Sequence, residues 1–174
     1  MILGLDISTS ITGFTILDEA GDTLLCDHID LKKFLNLYTK ADRVENILKD
    51  LFVTYNIQHV WIEESLQMFS SGMSSAKTLS TLSKFNGIIS WIVWKEFRIF
   101  PEHIAAVSAR KEAGIIVEKG KRGKDCVMDH MLDKEHWFVV EYTKTGKIKP
   151  HCYDRADSWV VAKAGLLRCT KQKN

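Results

Sequence analysis

The chain has 174 residues and a formal net charge of +2. Such a length suits a single domain over residues 1–174 with a sizeable core, and so slight a charge selects no partner by itself. The most apolar window, 88–94, is broken by Ser90 and closed by Lys95 and Glu96, which excludes a membrane span. The N-terminal MILGLD has no basic region ahead of its apolar run, which argues against a signal peptide and for a cytoplasmic protein. Cys26, Cys126, Cys152 and Cys169 are scattered without a C-x-x-C pair, the usage of reduced thiols rather than of a disulfide or zinc framework.

In chain order, 2–7 and 11–17 are β-rich and joined by a short STS turn. A turn at Glu19–Asp22 leads into a third strand at 23–30, completing an antiparallel meander. Ala41, Val44, Ile47, Leu48, Leu51 and Phe52 recur at helical spacing and predict a helix over 39–56, with Asn56 at its end. A short buried strand follows at 58–63. The Ser/Gly/Met-rich stretch SLQMFSSGMSS has no periodicity and predicts a loop. Beyond it the pattern predicts a helix at 76–97, a strand at 103–107 and a helix at 108–116. A basic turn at 119–124, a helix at 124–134, a β-hairpin at 136–149 and a final helix at 154–168 complete the chain. One mixed sheet with helices, an α/β layer architecture, accommodates this order.

The helix at 76–97 is apolar nearly all round. One broad face carries Leu79, Leu82, Phe85, Ile88, Ile89, Ile92, Val93 and Phe97. The other carries Ser80, Ser83, Gly87, Ser90, Trp91 and Trp94 at close to 3-4 spacing. A helix of this kind is buried on both sides. Two readings of the second face stand: a further layer of core, or a homodimer seam where small residues admit another backbone.

Four acids carry the chemistry. Asp6 ends the run ILGLD, Glu63 ends VWIE, and Asp154 and Asp157 stand three apart in DRADSWVVAKAGL. Carboxylates at the ends of buried strands are costly to desolvate unless something neutralises them. A pair of divalent ions does so, and paired ions are a standard device for cutting phosphodiesters. Glu64 points opposite to Glu63 by strand alternation, so only one of the two faces Asp6; Glu63 is preferred because it directly follows the apolar run. The spacing of Asp154 and Asp157 puts both on one helix face near the predicted N-terminus, where the helix dipole favours anions. Taken alone, they also read as an N-cap and a first-turn acid. Lys119, Lys121, Arg122 and Lys124 crowd one loop, and Lys144, Lys147 and Lys149 another; beside a carboxylate site they read as phosphate-contacting surfaces.

The turn after Asp6 in GLDISTSITGF also opens the actin-like sugar kinases, but those need two such domains and a far longer chain. GLDISTSITG, WIEES and DRADSWVVAKAG, in this order, resemble the RuvC family of Holliday junction resolvases, and within it the compact phage-encoded members. The resemblance spans nearly the whole chain. It implies an RNase H-like fold, a five-stranded mixed sheet flanked by helices, to which the hairpin at 136–149 is an addition. It also implies a homodimer that cuts four-way DNA junctions, with two magnesium ions (manganese substituting) held by Asp6, Glu63, Asp154 and Asp157. Lys111 and Lys124 fall where the family has basic residues that contact DNA and assist catalysis. Phe69, with Met68 beside it, falls in the loop where the family stacks an aromatic on junction bases; packing of Phe69 into the core is the other reading. The alternatives are an RNase H-like nuclease acting on RNA–DNA hybrids or flapped DNA, and a junction-binding module without activity.

Overall fold

The computed structural model describes residues 1–64 and 76–172. Five strands form one mixed sheet: β1 (Ile2–Asp6), β2 (Ile11–Leu17), β3 (Thr23–Asp30), β4 (His59–Glu63) and β5 (Glu102–Ile104). Their spatial order is β3-β2-β1-β4-β5. The first three run antiparallel as a meander, while β4 and β5 add in parallel to β1. Among the described residues five helices flank the sheet: α1 (Leu37–Thr54), α2 (Ala76–Phe97), α3 (Ala106–Glu112), α4 (Gly123–Lys134) and α5 (Pro150–Gln172). This is the RNase H-like architecture. Among the described residues no helix is long and apolar enough to cross a membrane.

Strand alternation sorts the side chains into two cores. Leu3, Leu5, Val60 and Ile62 point to one face, where they pack with Val44 and Leu48 of α1 and Phe85, Ile89 and Val93 of α2. Ile2, Trp61 and Ile104 point to the other, under Trp159, Val160 and Val161 of α5 and Val127 and Met131 of α4. By the same alternation Asp6, in phase with Ile2, and Glu63, in phase with Trp61, project to the α5 side.

Two glycines let α5 lie directly on the meander. A Cβ at Gly4 would sit 2.4 Å from the Ala162 nitrogen, and one at Gly13 2.0 Å from the Asp154 carbonyl oxygen. Neither position tolerates a side chain without moving the helix. Thr15 of β2 and Ser158 of α5, both fully buried, share a 2.8 Å hydrogen bond across the same contact. The β1–β2 turn closes on Ser8, whose hydroxyl donates to the Ile11 carbonyl (2.7 Å) and accepts from the Ile11 amide (3.1 Å).

Several boundaries differ from the sequence-based expectations. The first helix begins at Leu37 because the Asn36 side chain caps it, accepting from the Tyr38 and Thr39 amides. Strand β5 stops at Ile104 and α3 starts at Ala106, earlier than 108. The final helix begins at Pro150, not 154, since proline suits a first helical turn. Asp154 is therefore not an N-cap, and the helix dipole does not account for either acid. The expected hairpin at 136–149 narrows to a short irregular one over 141–149: the Thr143 amide donates to the Lys147 carbonyl (2.7 Å) and the Lys149 amide to the Glu141 carbonyl (2.8 Å), with a single bridge, Tyr142 to Ile148, around the turn at Gly146 (φ 76°). The residues before it are fastened to α5. Phe138 is buried, the Arg155 guanidinium lies 5.0 Å from its ring, and Arg155 Nη1 donates to the Val139 carbonyl (3.2 Å).

Candidate active site

The parallel register that pairs Leu5 with Ile62 sets Asp6 and Glu63 on neighbouring strand ends, about 4.8 Å apart in the sheet direction. Because α5 lies on Gly13, its Asp154 and Asp157 come down over the same edge. Asp6 and Asp157 are buried, while Asp154 and Glu63 are partly so. The Asn86 side chain of α2 donates to the Glu63 carbonyl (2.9 Å) and fixes the end of β4. Glu64 turns away: it is exposed, its amide donates to Ile104 (2.9 Å), and its charge acts on His103.

The four acids share a strongly negative, poorly hydrated site. Burial, and then the charges of Glu63 and Asp157, push the Asp6 carboxyl well above the usual range. Glu63 is pushed up to about 7, by burial first and Asp157 next, against the pull of Lys124 and Arg110. Asp154 is raised to about 6, again chiefly by burial, with Lys124 opposing and Asp157 adding. Lys124, from the first turn of α4, reaches in to within 3.0 Å of Asp157. Burial pulls its ammonium pKa down, but Asp157 and Asp6 outweigh that and hold it above the ordinary lysine value.

Other basic residues distribute unevenly. Lys121 pairs with Asp129, and Arg122 grips Asp125 with two bonds of 2.8 Å, so both charges are partly engaged on α4. Lys119 is exposed. Lys111 lies beside Arg168 and Lys171 of α5, and Lys171 is seventeen residues, or about 25 Å of helix, beyond Asp154. Its neighbour Arg110 is the residue of α3 that faces the acids. It acts on Glu63, and its guanidinium lies against Gly123, next to Lys124. The sequence motif SARKEAG gave no means of choosing between Arg110 and Lys111; the helix phase of α3 does. His151, one turn before Asp154, was likewise missed. It stacks on His28 at 4.2 Å, hydrogen-bonds Glu141 (3.0 Å) and places an imidazole near Asp154. Met68 and Phe69 lie outside the described residues.

On α2, Ser80, Ser83, Gly87, Trp91 and Trp94 are exposed. Ser90 turns instead toward β5, hydrogen-bonding the Asn86 carbonyl (2.8 Å) and His103 Nε2 (3.0 Å). An apolar groove runs beside this face, lined by Leu37, Tyr38, Gly87, Ile88 and Trp91. Trp91 keeps 54% and Tyr38 76% of its surface, a contiguous apolar exposure of the kind that marks interaction sites.

An RNase H-like α/β layer with four carboxylates converging at the C-terminal ends of two central strands is the class that fold and site define. Within that class the chain is similar in structure to T. thermophilus RuvC in complex with Holliday junction substrate. The match has a TM-score of 0.66 at 10% identity over 98% of this chain and 94% of that one. The yeast mitochondrial Holliday junction resolvase matches with a TM-score of 0.61 at 13% identity, over 99% of this chain and 80% of that one. Fowlpox virus resolvase, solved with its Holliday junction DNA, matches at 0.51 and 15% identity, over 97% of each chain. At such identities the likeness is one of fold. Neither a protein-family model nor a curated protein matches the sequence.

Proposed function

We propose that this protein is a structure-selective endodeoxyribonuclease that resolves four-way DNA junctions in the cytoplasm of a bacterial or phage-infected cell. The observation that carries the reading is the convergence of Asp6, Glu63, Asp154 and Asp157, where burial and mutual repulsion raise the carboxyl pKa values of Asp6, Glu63 and Asp154, the mark of a site built around more negative charge than its own cations neutralise. An all-oxygen donor set suits hard divalent ions, magnesium above all, with manganese substituting. Asp6, Glu63, Asp154 and Asp157 would hold two such ions. When bound, the ions supply an activated water and charge stabilisation for the leaving 3′ oxygen, so the products carry 5′ phosphate and 3′ hydroxyl ends.

The chain's own side chains do the rest. Lys124 orients Asp157 and offers its remaining N–H groups to the scissile phosphate. Arg110 offers a planar, bidentate donor to a neighbouring phosphate. Lys119 and the partly engaged Lys121 and Arg122 extend that surface along the backbone, giving affinity that falls with salt. Met68 and Phe69, in the stretch of sequence after Glu63, are apolar groups suited to wedging bases apart at a junction centre, where unstacking is cheapest. Two copies joined through the exposed face of α2, across Gly87, Trp91 and Trp94, present two active sites to two strands of like polarity. Burial of those tryptophans is the gain that dimerisation would supply.

The test is cleavage, with magnesium, of a four-way junction, a flap, a linear duplex and an RNA–DNA hybrid, all of one sequence. Paired symmetric nicks confined to the junction support the reading. Equal cutting of flap or hybrid by a monomer points to a different RNase H-like nuclease. Binding without cleavage points to a junction-binding module.

A further inference from the structure

At the opposite end of the sheet from the acids, three ligand-type side chains converge from three elements. His59 opens β4, Glu102 opens β5 and Cys169 lies near the end of α5. The pleat explains the meeting. His59 stands two residues before Trp61, and Glu102 is registered directly against Trp61, so all three project from the α5 face. Trp61 packs under Gly165 of α5, and Cys169 follows Gly165 by one helical turn, over the strand starts. The imidazole, the carboxylate and the thiol come within 4.8 Å of one another. Cys169 is 9% exposed, His59 half-buried and Glu102 exposed. His59 stands four residues before Glu63 along β4, about 13 Å, so the two sites are distinct.

We propose that His59, Glu102 and Cys169 bind one zinc ion, with water as the fourth ligand. The donor chemistry selects the metal. Magnesium and calcium take oxygen ligands, whereas a thiolate and an imidazole favour zinc among the common cellular divalent ions. A tetrahedral zinc with bonds of about 2.0–2.3 Å holds its ligands about 3.3–3.8 Å apart, so donor atoms already within 4.8 Å of one another need only a small closure. On binding, the Cys169 thiol releases its proton to solvent and the sulfur coordinates as thiolate. The ion would clamp the starts of β4 and β5 to the end of α5, a structural role separate from phosphodiester cleavage.

The experiment uses the full chain carrying Asp6→Asn, which weakens ion binding at the acid cluster, stripped with a chelator and titrated with zinc, with cobalt(II) as the spectroscopic stand-in. The expected result is one ion per chain and a thiolate-to-cobalt charge-transfer band. Adding Cys169→Ser removes the band, whereas Cys126→Ala leaves it. Adding Glu102→Gln, a surface change that spares the fold, weakens zinc binding by at least about tenfold. Failure of the Asp6→Asn protein to take up zinc overturns the proposal. So does equal uptake by the Cys169→Ser and Glu102→Gln proteins. Neither result bears on the junction-resolving reading, which stands on other residues.

Discussion

Replacing Glu63 with Gln is expected to make the protein more stable at pH 8 in the absence of divalent ions, while ending its cleavage when magnesium is present. The Glu63 carboxyl is pushed up from 4.5 to about 7 by burial and by Asp157. At about 1.4 kcal/mol per unit, ionising it in the folded state costs on the order of 3 kcal/mol. A glutamine removes the charge at nearly the same shape but leaves an amide to be hydrogen-bonded, so about 2–3 kcal/mol should be recovered. For a chain of this size that is a rise in melting temperature of roughly 5–10 °C. The pH dependence fixes the sign. Below the unfolded value, both states are protonated and the two proteins should be equally stable apart from the amide. Between the unfolded value and about 7, the unfolded chain ionises first, so wild-type stability falls with rising pH. Above about 7 the penalty is complete and the gap is constant. Magnesium should then stabilise wild type and narrow the gap, because an ion that binds only the folded state raises its melting temperature. Thermal denaturation by circular dichroism from pH 5 to 9, with chelator or magnesium, measures all of this. A Glu63→Gln protein that is less stable than wild type at pH 8, or a gap independent of pH, would refute the reasoning.

Asp6→Asn, Asp154→Asn and Asp157→Asn should each lower junction cleavage by at least about a hundredfold with binding largely kept, whereas Glu64→Gln should cut normally; gel assays of cleavage and binding separate the two effects. Arg110→Ala should reduce cleavage by about tenfold and Lys111→Ala should leave it unchanged, a comparison of single-turnover rates that tests which face of α3 meets the site. Gly13→Ala drives a methyl group into the Asp154 carbonyl and should cost about 3 kcal/mol, seen as a melting temperature lower by roughly 6–12 °C. Gly87→Arg should convert a dimer to a monomer by sedimentation equilibrium, and a wild-type protein that sediments as a monomer at micromolar concentration removes the proposed seam.

The sequence by itself determined the sheet and the strand-end acids. Period-2 alternation and the meander spacing are local properties of the chain, so β1–β3, β4 and the long α2 were legible, and so was the opposite projection of Glu63 and Glu64. The tertiary structure decided whatever depended on contacts between distant segments. The closeness of α5 to Gly4 and Gly13 delivers Asp154 and Asp157 to the strand ends, and no local pattern reports that approach. Asp154 read as a cap because aspartate commonly is one, but Pro150 had already begun the helix. Residues 136–149 looked like a hairpin because β-branched and aromatic residues flank a Lys-Thr-Gly-Lys turn. Residues 141–149 do pair across that turn, but before them Phe138 is drawn into the core under α5, beside Arg155. Arg110 and Lys111 are adjacent and alike in charge, and a rotation of 100° around α3 separates them. The meeting of His59, Glu102 and Cys169 across more than a hundred residues has the same origin: pleat and helix phase are local, but which faces meet is set by how α5 docks on the sheet.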